Sequence, residues 1–385
     1  MPDVAASAGA RIAAIDALRG LIMVIMLFDH VRENFFAHVA ITDPLTVPGS
    51  ETMMFFTRIA AHFCAPLFVF LTGLSAWLYE HPASGQPRSA TGFLLKRGLF
   101  LVLLEITLVN FAWYGKFPPQ TLFLQVIWVI GLSMVALALM HRLPRVVLAV
   151  LAFVIVFGHN LLTPITFQPG EVGYSAWTIL HDRGFLISEG AFKIKVSYPL
   201  LPWIGTILLG YLAGPLFARA KPVDERRRAL IGIGVASMVL LAFLRGFNIY
   251  GETLPWVTGD TIVQTIMSFV NFTKYPPSLD FLLFTIGAGC ICLAWFETLN
   301  NALMRMLVLF GSVPMFFYLL HLYALLIIQS VMMAWIGPTH GQRVGVDRYW
   351  QIWVISFALI PVLYFPSRAF AGFKHRSKQA WVRYF

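Results

Sequence analysis

Six residues near the start of the chain stand three or four positions apart: Asp16, Arg19, Met23, Met26, His30 and Glu33. That spacing puts them on one stripe of an α-helix. Arg19 and His30 are separated by roughly 16 Å along such a helix and by about 20° of rotation. A guanidinium can hold a phosphate-bearing donor through two parallel hydrogen bonds, and an imidazole can take a proton from an acceptor hydroxyl or amine. A plainer reading of the same residues makes Asp16 and Arg19 an i,i+3 ion pair at the helix start, with His30, Arg32 and Glu33 interfacial. Asp29, next to His30, points about 100° away and can orient the imidazole only through a neighbouring element.

Further titratable groups lie inside apolar runs, where they cost free energy unless paired or hydrated. Glu105 and His321, the latter flanked by Tyr318 and Tyr323, fall at about the depth of His30 when 1.5 Å is counted per residue. Three such groups at one depth predict a shared polar cavity, although each can also be a structural hydrogen-bonding residue. His62 lies at the outer end of the second run, within reach of the end of the first helix. His38, in the following outer loop, is either a second catalytic candidate or a solvated loop histidine. Cys64, Cys290 and Cys292 sit in apolar runs without metal-finger spacing, so they read as core residues, and no metal site is expected.

The elements that must position these groups follow from composition. Of the 385 residues 58% are hydrophobic and only 12% are charged, about half the charged share of a soluble domain. Mean hydropathy is +0.75. Apolar runs occupy 15–36, 55–79, 92–113, 122–140, 144–162, 198–218, 229–247, 279–296, 306–336 and 350–370, each near the roughly 20 residues that cross a bilayer. The expected fold is all-α, a single polytopic membrane domain over 1–385 with about ten transmembrane helices. Most Lys and Arg residues, including those of 221–228 and 374–383, fall on one side when the runs are counted alternately, which places both termini in the cytoplasm. This topology explains the net charge of +10 without nucleic acid. The charges of the first run are unlike a cleavable signal, so that segment is expected to be retained. The outer connections 37–54, 163–197 and 248–278 are long enough to carry function, though Trp177, Trp203 and Trp256 equally suit interfacial anchoring.

Several of these stretches resemble a known family. Ile15-Asp16-Ala17-Leu18-Arg19-Gly20, Met26-Leu27-Phe28-Asp29-His30 and the stretch 62–75 resemble the heparan-alpha-glucosaminide N-acetyltransferase catalytic-domain family in its bacterial branch. Thr273-Lys274-Tyr275-Pro276-Pro277-Ser278-Leu279 and the stretch 310–322, Phe310 to Leu322, resemble two further signatures of that branch, so the likeness spans most of the chain. The Arg19 and His30 spacing is also similar to the motif of the wider transmembrane acyltransferase group, which includes enzymes that O-acylate cell-envelope sugars. The resemblance implies transfer of an acyl group, commonly acetyl, from cytoplasmic acyl-CoA to an acceptor across the membrane. It places Arg19 near the donor and makes His30 catalytic. The lysosomal members have Asn where His30 stands and a catalytic histidine further along, nearer His38. The choice between His30 and His38 therefore stays open, with the helical stripe favouring His30.

The expectation is thus a membrane acyltransferase of the bacterial inner (cytoplasmic) membrane, in which acetyl-CoA is the donor and an extracytoplasmic saccharide the acceptor. Catalytic candidates are His30, as base or acyl carrier, with Asp29, Glu105, His38 and His321. Asp16, Arg19, Ser75 and Tyr318 are assigned to the donor, and Lys274, Tyr275, His62 and Trp113 to the acceptor. Membrane lipid surrounds the protein, and a homodimer stays open. The alternative is a proton-coupled transporter or lipid-linked sugar flippase relaying protons through His30, Glu105 and His321, although the inverted repeats and paired broken helices common in transporters are not evident. A structural scaffold would leave the buried charges without a purpose.

Overall fold

The computed structural model describes residues 12–47, 50–82 and 85–385, without the side chains of residues 380 and 383. Helices dominate, as they must where no water is available to satisfy backbone groups. The first, α1 (Ala13–Phe35), is a buried column despite its charges: Asp16, Asp29, His30 and Arg32 are among its buried residues. The run 55–79 forms two helices, α2 (Thr52–Ala61) and α3 (Cys64–Glu80), with a break at His62 and Phe63. Pro66 explains the break, since it brings no N–H to a ladder continuing from His62. After α4 (Thr91–Leu104) a π turn, Glu105–Val109, leads into α5 (Asn110–Tyr114). Single π turns inside helices often mark functional sites.

The chain continues through β1 (Thr121–Leu124), α6 (Val126–Met140), α7 (Arg145–Gly158), α8 (Tyr174–Leu180), β2 (Gly184–Ile187) and β3 (Lys193–Val196). The strands form a small sheet, ordered β1-β3-β2, that the all-helical expectation did not include. β1 runs parallel to β3 with Thr121 opposite Lys193, and β2 runs antiparallel with Phe185 opposite Lys195. Next come α9 (Leu201–Ala213), α10 (Val223–Gly246), α11 (Ile262–Phe269), α12 (Leu279–Phe296), α13 (Ala302–Ser312), α14 (Pro314–Ile336) and α15 (Trp350–Arg376). The single run expected at 306–336 is split at Val313, ahead of Pro314 at the first position of α14, where a missing N–H costs nothing.

The protein is a membrane protein. Among the described residues six helical segments are long and apolar enough to cross a bilayer, namely Thr52–Glu80, Arg145–Leu162, α10, α12, α14 and α15. Three further apolar segments, α6, Leu201–Phe217 and α13, are shorter, and α1 is long enough but carries five charged side chains. The expected count of about ten is therefore met only in part. Burial separates an inner layer from a rim: 72% of the apolar window of α12 is buried, against 22% in α10 and α15. Exposed Val235, Val239, Phe243, Phe357, Val362 and Phe365 make the rim apolar on its outside, as lipid requires.

Small residues bring the inner helices together. A Cβ at Gly20 would lie 1.9 Å from the Leu307 carbonyl oxygen, and one at Gly311 would lie 1.7 Å from that of Asp16, so α1 and α13 touch backbone to backbone. Gly73 and Gly210 do the same between α3 and α9, against Ile207 and Phe70. In lipid, where apolar surfaces gain nothing by meeting, such close contact is a main source of helix association. Gly311→Ala is expected to lower the melting temperature in detergent, at a cost of roughly 1–3 kcal/mol. Gly92→Ala, whose new methyl meets nothing within 4 Å, should not. Equal melting of the two variants would refute the close approach.

Candidate active site

The last turns of α1 meet α14 at a pair of histidines. The rings of His30 and His321 stack with centroids 5.0 Å apart and 14° between planes, and His30 Nδ1 lies 2.7 Å from His321 Nε2. His321 Nδ1 lies 2.9 Å from the Phe317 carbonyl oxygen. A carbonyl only accepts, so His321 carries its proton on Nδ1 and, as a neutral ring, accepts at Nε2. His30 must then donate from Nδ1, which leaves the lone pair on its Nε2. Among the described residues no hydrogen bond reaches that atom. Trp113 of α5 and Tyr318 of α14 close around the ring, edge-on at 4.9 and 6.0 Å, and His30 keeps 9% of its surface accessible. Tyr318, expected at the donor, belongs to this histidine pair.

Asp29 does not hydrogen-bond to His30. Its Oδ1 accepts from Arg32 Nε at 3.1 Å and its Oδ2 from Arg58 at 2.7 Å, while Arg32 also reaches Glu33 at 2.8 Å. The group that orients the imidazole is His321, and Asp29 instead ties α1 to α2. Sequence reasoning passed over Arg58, although it is the one charged residue in the run 55–79. Glu105 also lies apart from the histidine pair. The π turn aims its Oε2 at the backbone N–H groups of Ile127 and Trp128, 3.0 and 3.1 Å away, so that it caps α6. Asn110 reinforces this corner by bonding both the N–H and the C=O of Phe123.

Three of the four residues expected at the donor, Asp16, Arg19 and Ser75, come together at Arg19. It donates to Asp16 at 2.9 Å, to the Ser75 hydroxyl, and to the Leu71 carbonyl at 3.4 Å. The i,i+3 ion pair of the plainer reading is present, and Arg19 at the same time bridges α1 to α3. Met23 and Met26 occupy the stripe between Arg19 and His30, 1% and 5% exposed. His38 is elsewhere: it is exposed and stacks on His340 at 4.2 Å. Partial burial and then the neighbouring His340 hold its pKa below the usual imidazole value, against the pull of Asp347.

Of the acceptor candidates only Lys274 and Tyr275 share a loop wall, since Trp113 packs on His30 and His62 stands at the break between α2 and α3. Lys274 and Tyr275 present their backbone N–H groups to the Asp43 carboxylate at 3.0–3.3 Å. The Tyr275 hydroxyl donates to that of Tyr198 at 3.1 Å. His62, buried against Phe281 with ring centroids 5.1 Å apart, has no hydrogen bond at either nitrogen among the described residues. Three residues that the sequence did not single out build this wall. Arg245 donates to the carbonyls of Leu254, Ser268, Phe269 and Asn271. Glu252 accepts from the Thr273 N–H at 2.9 Å, the Thr273 hydroxyl and the Ser278 hydroxyl. The Asn271 amide pairs with both backbone groups of Leu45. Among the described residues no three His, Cys, Asp or Glu side chains converge on a metal position.

Breaking the buried ion network at one partner leaves a charge uncompensated, which typically costs about 3–5 kcal/mol. Asp29→Asn and Arg58→Met are each expected to lower the melting temperature sharply, and the double variant to recover part of the loss. A double variant whose deficit equals the sum of the singles would show that the two do not interact.

A family model described as heparan-alpha-glucosaminide N-acetyltransferase, catalytic, matches residues 11–244, more than half of the chain. A search of the curated proteins finds no match. The matched segment contains Arg19, His30, Arg58, His62 and Glu105, whereas Lys274 and His321 lie beyond it.

Proposed function

Because the chain belongs to the heparan-alpha-glucosaminide N-acetyltransferase catalytic family, we propose that it moves an acetyl group from cytoplasmic acetyl-CoA to an extracytoplasmic saccharide, with His30 as general base. The observation that carries this reading is the chain of hydrogen bonds from Phe317 through His321 to His30, which leaves the lone pair on His30 Nε2. An acceptor hydroxyl or amine delivers its proton to that nitrogen as its oxygen or nitrogen attacks the thioester carbon. The C–S bond breaks, and the proton on Nε2 passes to the departing thiolate, which returns the imidazole to its starting state.

Arg19, with Asp16 and Ser75, is the site for the phosphates of the donor at the cytoplasmic end of α1. Between that site and His30 the acyl arm has to pass Met23 and Met26. Their unbranched, flexible side chains suit a passage that closes when empty. On this reading both termini are cytoplasmic, as the distribution of Lys and Arg suggests, the His30 end of α1 faces the far side, and the membrane is the inner membrane of a bacterium. The proton-relay alternative finds no support in the geometry, since Glu105 caps α6 and does not bridge His30 and His321.

His30→Ala is expected to lower acetyl transfer from labelled acetyl-CoA to a glucosaminide by about 100- to 10 000-fold, with melting temperature and acetyl-CoA binding kept. His321→Ala should lower kcat with little change in KM for acetyl-CoA, because it frees His30 to adopt the other tautomer. An active His30→Ala enzyme would remove the mechanism. Met26→Trp should leave folding intact and depress kcat/KM for acetyl-CoA; unchanged kinetics would mean that the arm takes another route.

A further inference from the structure

From Asp29 to Phe36, the last turns of α1, every residue is buried except Glu33, whose side chain keeps 37% of its surface accessible. Its Oε1 accepts from Arg32 Nη2 at 2.8 Å, and among the described residues no hydrogen bond reaches Oε2. The negative charge itself is balanced, since Arg32, Arg58 and Lys274 act on it against Asp29. What is left over is an acceptor atom: an ionised carboxylate only accepts hydrogen bonds, and the lone pairs of Oε2 are uncommitted.

Three tyrosines from three parts of the chain locate the space that Oε2 faces. Tyr114 of α5, Tyr198 ahead of α9 and Tyr318 of α14 all lie within electrostatic range of Glu33. Tyr318 packs edge-on against His30, and Tyr114 follows Trp113, which does the same. A carboxylate so enclosed, on a helix whose adjacent residues are buried, faces a vestibule inside the bundle. Glu33 stands three residues beyond His30, roughly 4.5 Å further along α1 and about 60° round it, a span that one sugar ring covers. Aromatic walls around a few placed polar groups are the usual lining of a small-molecule site. Here the rings would cover the apolar faces of a sugar while the carboxylate accepts from its edge.

We infer that Glu33 positions the acceptor: its Oε2 accepts a hydrogen bond from an O–H or N–H group beside the nucleophile on the sugar, and so holds that nucleophile at His30 Nε2. The inference rests on the acyltransferase reading for the reaction it serves, and on the geometry of Glu33 for the binding. Glu33 takes no proton in this role. The base is His30, and Glu33 is a positioning residue.

Glu33→Gln separates this role from a purely structural one. The amide oxygen still accepts from Arg32, whereas the atom that replaces Oε2 becomes a donor. Calorimetric titration of the full-length protein in neutral detergent, without acetyl-CoA, measures the binding of methyl glucosaminide and of its monodeoxy and deamino analogues. Glu33→Gln is expected to bind the parent sugar about tenfold more weakly, the loss of one hydrogen bond to a charged group, with melting temperature and KM for acetyl-CoA unchanged. Glu33→Asp, which keeps the carboxylate, should recover part of the affinity. In the wild type one analogue, lacking the group that Glu33 holds, should bind about tenfold more weakly than the parent, and in Glu33→Gln that difference should vanish. No binding by the wild type, equal binding of the parent and every analogue, or a Glu33→Gln protein that discriminates among them as the wild type does would each overturn the inference. Loss of melting temperature together with affinity for all the sugars alike would mark a structural residue and overturn it too. Discrimination that depends on Glu33 in a wild type that transfers no acetyl group would count against the acyltransferase reading and leave the sugar subsite standing.

Discussion

A single hydrogen bond between two buried imidazoles fixes the geometry of the candidate site. His321 is fixed as a donor at Nδ1 by the Phe317 carbonyl, and that choice passes along the pair until it leaves one lone pair on His30. A free histidine exchanges tautomers and rotates. This one is held by its partner, by Trp113 and by Tyr318. The family is one of acetyl transfer, and under the proposed function the histidine pair is a base whose orientation is settled before any substrate arrives, which is where much of the benefit of an enzyme site comes from.

The bundle exists to keep that pair in place. α1 carries too many charges to face lipid, so it has to be surrounded, and its charges have to be matched by neighbours. Arg58 from α2 joins Arg32 around Asp29. Ser75 from α3 receives Arg19. Glycines then let α13 approach α1, and α9 approach α3, closely enough for dispersion contacts to hold the inner layer together. Polar matching decides which helices neighbour α1, and small residues decide how near they come.

The far wall is built by other means. It consists of connecting segments, whose backbone groups have no helix to satisfy them. Arg245 gathers four carbonyls, Glu252 collects hydroxyls and an N–H, and Asn271 pairs with Leu45 as a strand would. These bonds rigidify the stretch that carries Lys274 and Tyr275, so that a loop acquires the precision of a regular element. The cost of burying Arg245 is met by the carbonyls it organises.

Much of this was legible in the residues. Hydropathy marked the apolar runs, and the three-and-four spacing put Arg19 and His30 on one face of α1, because both are local properties of chain and period. The depth count brought His321 to the level of His30, since rise per residue is constant. Glu105, assigned to that level by the same count, turns instead to the start of α6, because depth says nothing of azimuth. For Asp29 the sequence left the orientation to a neighbouring element, and that element is α2, whose Arg58 joins Arg32 on the carboxylate. The breaks at Phe63 and Val313, the β1-β3-β2 sheet and the bonds of Arg58 and Arg245 were decided only by tertiary structure, because a buried charge takes its meaning from what the rest of the chain brings to meet it.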